Sequence, residues 1–206
     1  FVKRTGAAKL QKWGLLDQVR AIGTPAIETL NFHINDTLLS GTAPPCDSVA
    51  TDFTPRRFYL DKILVDAAVE AGAEVREKFT VKELIFDGDQ VVGIKGASTG
   101  GDVVTERAKI VVGADGVRSM VAKSVEAEHY IDAGTHACAH YAYYSGMRES
   151  SSTASLKIDT QHRRFYITLP TNDNLDVVLL FWPTEQAQQV RKDVNAAFTE
   201  SLTLAP

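Results

Sequence analysis

Ile110-Val111-Val112-Gly113-Ala114-Asp115-Gly116-Val117-Arg118-Ser119 decides how this chain is read. Three consecutive β-branched residues suit a strand covered on both faces. Gly-Ala-Asp-Gly then ends the strand, and a helix is expected to begin at Ser119 and run to Val125. Open α/β sheets bind ligands at the carboxyl ends of their strands, which is where this strand would deliver Asp115. An ionised carboxylate there can accept hydrogen bonds from ribose hydroxyls, while Gly113 and Gly116 let the backbone approach a dinucleotide closely. The same residues also suit a plain strand-to-helix turn, for which Asp-Gly is a common signal.

Upstream, apolar residues fall at Leu60, Ile63, Leu64, Ala67, Ala68 and Ala71, the i, i+3, i+4 spacing of one helical face. Gly72 is well placed to end that helix. Arg56 and Arg57 stand just before or within its first turn, where the helix dipole disfavours cations by about 0.3–1 kcal/mol. Two adjacent arginines there are easier to understand beside an anion such as a pyrophosphate; exposure of both to solvent is the alternative. Nearer the start, the pattern predicts a helix to Trp13, a break at Gly14, and a short helix over 15–22 stopped by Gly23 and Pro25. Residues 26–39 change to a period that suits one or two strands around an Asn35-Asp36 turn.

Between that helix and the Asp115 stretch, residues 74–76 can form a short strand, 80–86 and 90–95 a hairpin around Asp87-Gly88-Asp89, and 103–106 a third strand. Downstream, strand-like runs occur at 135–144, 155–158, 165–169 and 177–182, and a helix over about 185–202 closes the chain. His136, Cys138 and His140 alternate along one of these strands and share a face. Three ligands two residues apart are hard to wrap around a tetrahedral ion, so no metal site is assigned. The aromatic set Tyr141, Tyr143, Tyr144, Phe165, Tyr166, Phe181 and Trp182 reads as sheet packing. Ser150-Ser151-Ser152 lacks a nucleophile-elbow pattern, and no catalytic residue is assigned. The order of elements implies two interleaved units, an α/β one of residues 1–24 and 51–128 and an antiparallel β one of residues 25–50 and 129–206.

With 206 residues, 44% of them apolar, the chain can bury a sizeable core without metals or disulfides. A net charge of -4 and the lack of any basic run longer than two residues argue against nucleic acid as a partner. No apolar stretch approaches the roughly 20 residues of a membrane helix. The first residues carry no secretory pattern, and two cysteines, Cys46 and Cys138, suit a reducing cytosol. The chain opens in a helical pattern without an initiator methionine, as a piece of a longer protein would.

Gly113-Ala114-Asp115-Gly116-Val117-Arg118-Ser119-Met120-Val121 resembles the G-A-D-G-x-x-S-x-V fingerprint of the group A flavoprotein monooxygenases, the aromatic-hydroxylase family, and their geranylgeranyl-reductase-like relatives. Arg57-Phe58-Tyr59-Leu60-Asp61-Lys62-Ile63-Leu64 is similar to the family's R-x-x-L/F-D-x-x-L helix, in the family's order and spacing, and Trp13-Gly14-Leu15-Leu16-Asp17 adds a third likeness. The resemblance implies a partial FAD-binding domain of the glutathione-reductase-like type, interleaved with an antiparallel β-sheet substrate domain that covers the flavin. It implies that Asp115 lies near the FAD ribose and pyrophosphate, with Gly113, Gly116 and Ser119 around it, and that Arg57 and Arg56 reach the same cofactor. The implied reaction uses NAD(P)H and oxygen to hydroxylate an aromatic or polyketide-like small molecule. A geranylgeranyl-reductase-like or halogenase-like flavoenzyme is the alternative within the resemblance, and a non-catalytic ligand- or partner-binding α/β module is the alternative outside it. The family's G-x-G-x-x-G loop and Gly-Asp-Ala segment do not occur in these residues, so the 206 residues alone are expected to bind FAD poorly and to be inactive. A cytoplasmic enzyme with a small-molecule substrate, free or as a homodimer, completes the expectation.

Overall fold

The computed structural model describes residues 1–147 and 152–204. Cα packing divides the chain into two compact units, Phe1–Gly72 with Gly134–Pro206, and Ala73–Ala133. The expected cofactor unit, residues 1–24 and 51–128, has segments in both. Ser150 and Ser151 lie outside the described residues.

The first unit is built on a six-stranded sheet. Its strands are β2 (Thr29–Ile34), β3 (Thr37–Gly41), β8 (Ala137–Ser145), β9 (Thr153–Asp159), β10 (Arg164–Pro170) and β11 (Leu175–Pro183), in the order β3-β2-β9-β10-β11-β8. Two short strands, β1 (Ala26–Ile27) and β4 (Asp52–Phe53), pair apart from it. The sheet was expected to be antiparallel, and four of its five pairings are; β2 and β9 run parallel, Thr29 facing Thr153. A parallel pair needs a long crossover connection, and more than a hundred residues separate these two strands.

Side chains alternate across the sheet, so each strand supplies two faces. Tyr166, Val178, Leu180 and Trp182 point to one face and are buried beneath Val190 and Phe198. Those two come from α5 (Ala187–Lys192) and α6 (Val194–Leu204). The single helix expected over 185–202 is thus two helices after a 3-10 turn, because Asp193 leaves the helical conformation and caps α6, accepting from the Ala196 N–H at 2.9 Å. Aspartate competes well as an N-cap and poorly inside a helix. Cys138 packs into the same layer and His140 meets the Trp182 ring edge-on at 5.9 Å. On the opposite face Leu169 and Val177 join Ile27 and Ala154 in a second core.

A third core gathers α1 (Arg4–Lys12), α2 (Leu16–Ala21) and α3 (Arg57–Glu70), where Ala7, Leu10, Leu16, Val19, Phe53 and Ile63 are buried. The glycine breaks read from the sequence occur at Gly14 and Gly23, both with φ of 74°. Inside this core Arg4 and Asp52 are both buried, 4% and 3% exposed. Asp52 accepts from the Arg4 backbone N–H at 2.6 Å, and the guanidinium donates to the Pro44 and Glu28 carbonyls.

The second unit is a meander of β5 (Phe79–Asp87), β6 (Gln90–Ser98) and β7 (Val103–Arg107), followed by the short helix α4 (Met120–Ser124). Two expectations fail here. Residues 74–76 form no strand; Arg76 instead pairs with Glu74 and Glu106. Residues 110–112 form no strand, and Ile110 and Val112 are 77% and 80% exposed. A doubly covered strand needs a neighbour to complete its ladder, and among the described residues no strand pairs with 110–112.

Candidate functional site

Sequence reasoning singled out two clusters, and they belong to different units. Gly113, Asp115, Gly116 and Ser119 form the approach to α4. The Asp115 carboxylate accepts from the Ser119 hydroxyl on Oδ1 and from the Met120 and Val121 backbone N–H groups on Oδ2, at 2.6 and 3.3 Å. Ser119 in turn caps α4, its Oγ accepting from the Ala122 N–H at 2.9 Å. The two glycines have separate reasons. Gly116 adopts a φ of 78°, which L side chains avoid. A Cβ on Gly113 would stand 2.8 Å from two side-chain carbons of Val121, so its bare backbone is what lets α4 close over the loop.

These contacts decide how the loop could meet a dinucleotide. An ionised carboxylate offers about four acceptor positions. Three are used within the loop, which leaves one on an exposed side chain for a ribose hydroxyl. The loop therefore fits the group the sequence pointed to, through a single outward hydrogen bond, and the local turn and the ligand contact are compatible.

The Ser119 hydroxyl first, and then the backbone donors, hold the Asp115 carboxyl below the ordinary carboxylate range. A depressed folded pKa means that the cap is intact above the unfolded value of about 3.9 and is lost as pH falls through the lower folded value. Amide resonances of Met120 and Val121 are expected to titrate together with a midpoint below that value. A midpoint at or above it would mean that the carboxylate does not hold these amides.

In the first unit Arg56 and Arg57 stand at the head of α3, and they do different things. The Arg56 guanidinium pairs with Asp173 and lies over the Phe58 and Tyr143 rings, 4.8 and 5.1 Å from their centroids. The Arg57 side chain is 83% exposed and, among the described residues, its ion pair is with Asp61, one turn on, through Nε and Nη2 at 3.0 Å. Its Nη1 has no hydrogen bond among the described residues and stays available to an anion, so Arg57 fits a cofactor contact better than Arg56.

Arg57 also lines a cleft of about 710 Å3 within the first unit. One wall is the start of α3, with Arg57, Leu60, Asp61 and Leu64. The other is the sheet face left open by α5 and α6, with Tyr141, Tyr143, Ile167, Leu169, Val177 and Leu179. Tyr141 and Tyr143 meet edge to face at 5.8 Å, and Tyr141 is 63% exposed. Sequence reading took these tyrosines for packing. The available signal was the alternation along β8, where Ala139, Tyr141 and Tyr143 are exposed and Cys138, His140 and Ala142 are half-buried.

Comparison with known proteins gives the family. Residues 8–203 match the family model described as FAD binding domain. The chain belongs to this family of FAD-dependent oxidoreductases. Over 71 residues, 34% of this chain and 18% of the relative, it is 45% identical to digeranylgeranylglycerophospholipid reductase of Methanocella arvoryzae. Among solved structures it is similar to the myxobacterial chondrochloren halogenase CndH, with a TM-score of 0.78 and 20% identity over 93% of this chain and 45% of that one. It is also similar to PqsL of Pseudomonas aeruginosa in complex with 2-aminobenzoylacetate, with a TM-score of 0.74 and 18% identity over 92% of this chain and 51% of that one. The chain thus spans about half the length of these solved proteins and matches less than a fifth of the curated relative.

Proposed function

We propose that the intact protein is a flavin monooxygenase that hydroxylates an aromatic or polyketide-like small molecule, with NAD(P)H as reductant and oxygen as co-substrate, in the cytoplasm. The observation that carries the substrate class is the cleft: an aliphatic floor and two tyrosine rings suit a flat apolar molecule, and Arg57 at its rim suits an anionic group. FAD, when bound, supplies the redox chemistry, and the protein supplies placement and shelter. Asp115 would accept from a ribose hydroxyl, Arg57 would donate to a phosphate, and the sheet face would keep water from the reacting ring. The Asp115 contact uses an acceptor position, and the Arg57 contact an N–H group, left over from the local hydrogen bonds described above.

A second reading is reduction of a polyprenyl lipid, favoured by the 45% identity to an archaeal lipid reductase over 71 residues. Oxygen separates the two: a monooxygenase consumes it in step with NAD(P)H and substrate, whereas a reductase turns over without it. The cofactor assignment has its own test. In the full-length protein, Asp115→Ala is expected to weaken FAD binding about ten- to a hundredfold, the cost of losing a hydrogen bond to a charged group. Flavin-release titration measures it, with circular dichroism as a fold control. Unchanged retention would reduce the Gly113 to Ser119 segment to a plain turn into α4.

A further inference from the structure

We propose that Asn172 and Asp173, at the tip of the β10–β11 hairpin, are positioning residues for the cleft: they fix Arg56, and through it the first turn of α3 that carries Arg57 and the ring of Tyr143. The proposal rests on the reading of Arg57 as a cofactor contact and goes beyond it by naming what holds Arg57 in place.

The tip is a two-residue turn in which Asp173 and Asn174 both have positive φ, 62° and 55°, and the Leu175 N–H donates to the Asn172 carbonyl at 3.2 Å. Positive φ at both central residues is the type I′ geometry that Asn and Asp tolerate and that suits the twist of a hairpin. A hairpin turn usually faces water; this one is drawn into the unit. Asn172 is fully buried, and both polar atoms of its side chain have partners. Its Oδ1 accepts from the Arg56 N–H at 2.9 Å, and its Nδ2 donates to the Ile22 carbonyl at 2.8 Å and to Thr24 Oγ1 at 2.9 Å. Thr171, 1% exposed, donates to the Thr54 carbonyl at 2.6 Å. One turn therefore ties the end of α2, the entry to α3 and the sheet.

Arg56 transmits this tie. It is the N-cap of α3, and that cap lacks a side-chain hydrogen bond of its own, so the backbone bond to Asn172 and the ion pair to Asp173 are what set it. Its guanidinium also lies over Tyr143, which lines the cleft. The hairpin tip thus reaches both walls of the cleft through one residue without lining the cleft itself. Asp173 and Asn172 touch no expected ligand and act only through the groups they hold.

The test uses the full-length protein with Asp173→Asn, Arg57→Ala and the double variant. Asparagine keeps the turn's positive φ and removes the negative charge that faces Arg56, so the fold and melting temperature should hold. FAD affinity, read by quenching of flavin fluorescence, should fall about two- to fivefold in Asp173→Asn, the range of a partly exposed ion pair. In the double variant it should fall no further than in Arg57→Ala alone, because coupled residues are not additive. Where Arg57→Ala weakens FAD binding, equal FAD affinity in Asp173→Asn and the parent, or additive losses in the double variant, overturns the proposal. Hydrogen exchange of the cofactor-free protein separates it from the reading beneath it. Faster exchange at residues 57–60 in Asp173→Asn, with no effect of Arg57→Ala on FAD, would support the clasp and reject Arg57 as the contact; unchanged exchange would reject the clasp.

Discussion

Replacing Trp182 by alanine is expected to destabilise the protein by about 3–5 kcal/mol, the range for emptying a fully buried aromatic site. The indole is 1% exposed and sits where β11 meets α6, near Phe198, with its Nε1 donating to Ser201 Oγ at 3.1 Å. Tyr166 donates to the Ser201 carbonyl from the same layer at 3.0 Å. Alanine and phenylalanine both leave the buried Ser201 hydroxyl without its donor, but alanine opens the larger cavity, so its loss should exceed that of Trp182→Phe. Urea denaturation of the three proteins measures it. Equal midpoints for the alanine variant and the parent would mean that α5 and α6 do not cover this face of the sheet.

The second large effect is expected at Asp52. Both partners of the Arg4–Asp52 pair have side chains only 5% exposed. Removing one partner strands the other charge in the core, and Asp52→Ala should cost about 3–5 kcal/mol. Replacing both, as Arg4→Met with Asp52→Leu, should recover most of that loss, since apolar packing often matches a buried ion pair. Denaturant midpoints across this double-mutant cycle test it; equal losses in the single and double variants would show that the backbone bond from Arg4 to Asp52, and not charge burial, carries the cost.

Much of the architecture was legible because it is periodic. The face of α3, the β5–β6 hairpin and the alternation of β8 to β11 all repeat at 3.6 or 2 residues, and local patterns survive in any context. What was not legible depends on distant partners. Residues 110–112 have the composition of a buried strand, but burial is a property of neighbours, and the chain described here pairs nothing with them. Arg4 and Asp52 are 48 positions apart, and no spacing rule joins them. Asn172 is indistinguishable in sequence from an ordinary turn asparagine; its three tertiary hydrogen bonds arise only once the hairpin folds inward.

The candidate site was legible in its motifs and less so in its chemistry. Asp115 and its glycines read correctly as a turn into a helix, while the hydrogen bonds that occupy most of the carboxylate were invisible. Arg56 and Arg57 looked equivalent because they are adjacent. Arg56 is the extended N-cap of α3 and Arg57 its first helical residue, so one guanidinium meets the hairpin tip while the other lines the cleft. The cleft's second wall was overlooked because tyrosines on a strand are as often packing as lining, and only the exposure of Tyr141 separates the two.

The parallel pairing of β2 with β9 also sets a schedule for synthesis. The β2–β3 hairpin leaves the ribosome early, yet its partner strand emerges about 120 residues later, a wait on the order of ten seconds at roughly 5–20 residues per second. A lone two-stranded hairpin is barely stable in water. During that interval Phe32, Ile34, Leu38 and Leu39 have no sheet to join, and even after folding all five residues of β3 stay exposed at the sheet edge. Yield from recombinant expression should therefore respond to slower growth temperature and to holdase chaperones more than to any change in the cleft, because the vulnerable species is a nascent chain that has not yet met its β9 strand.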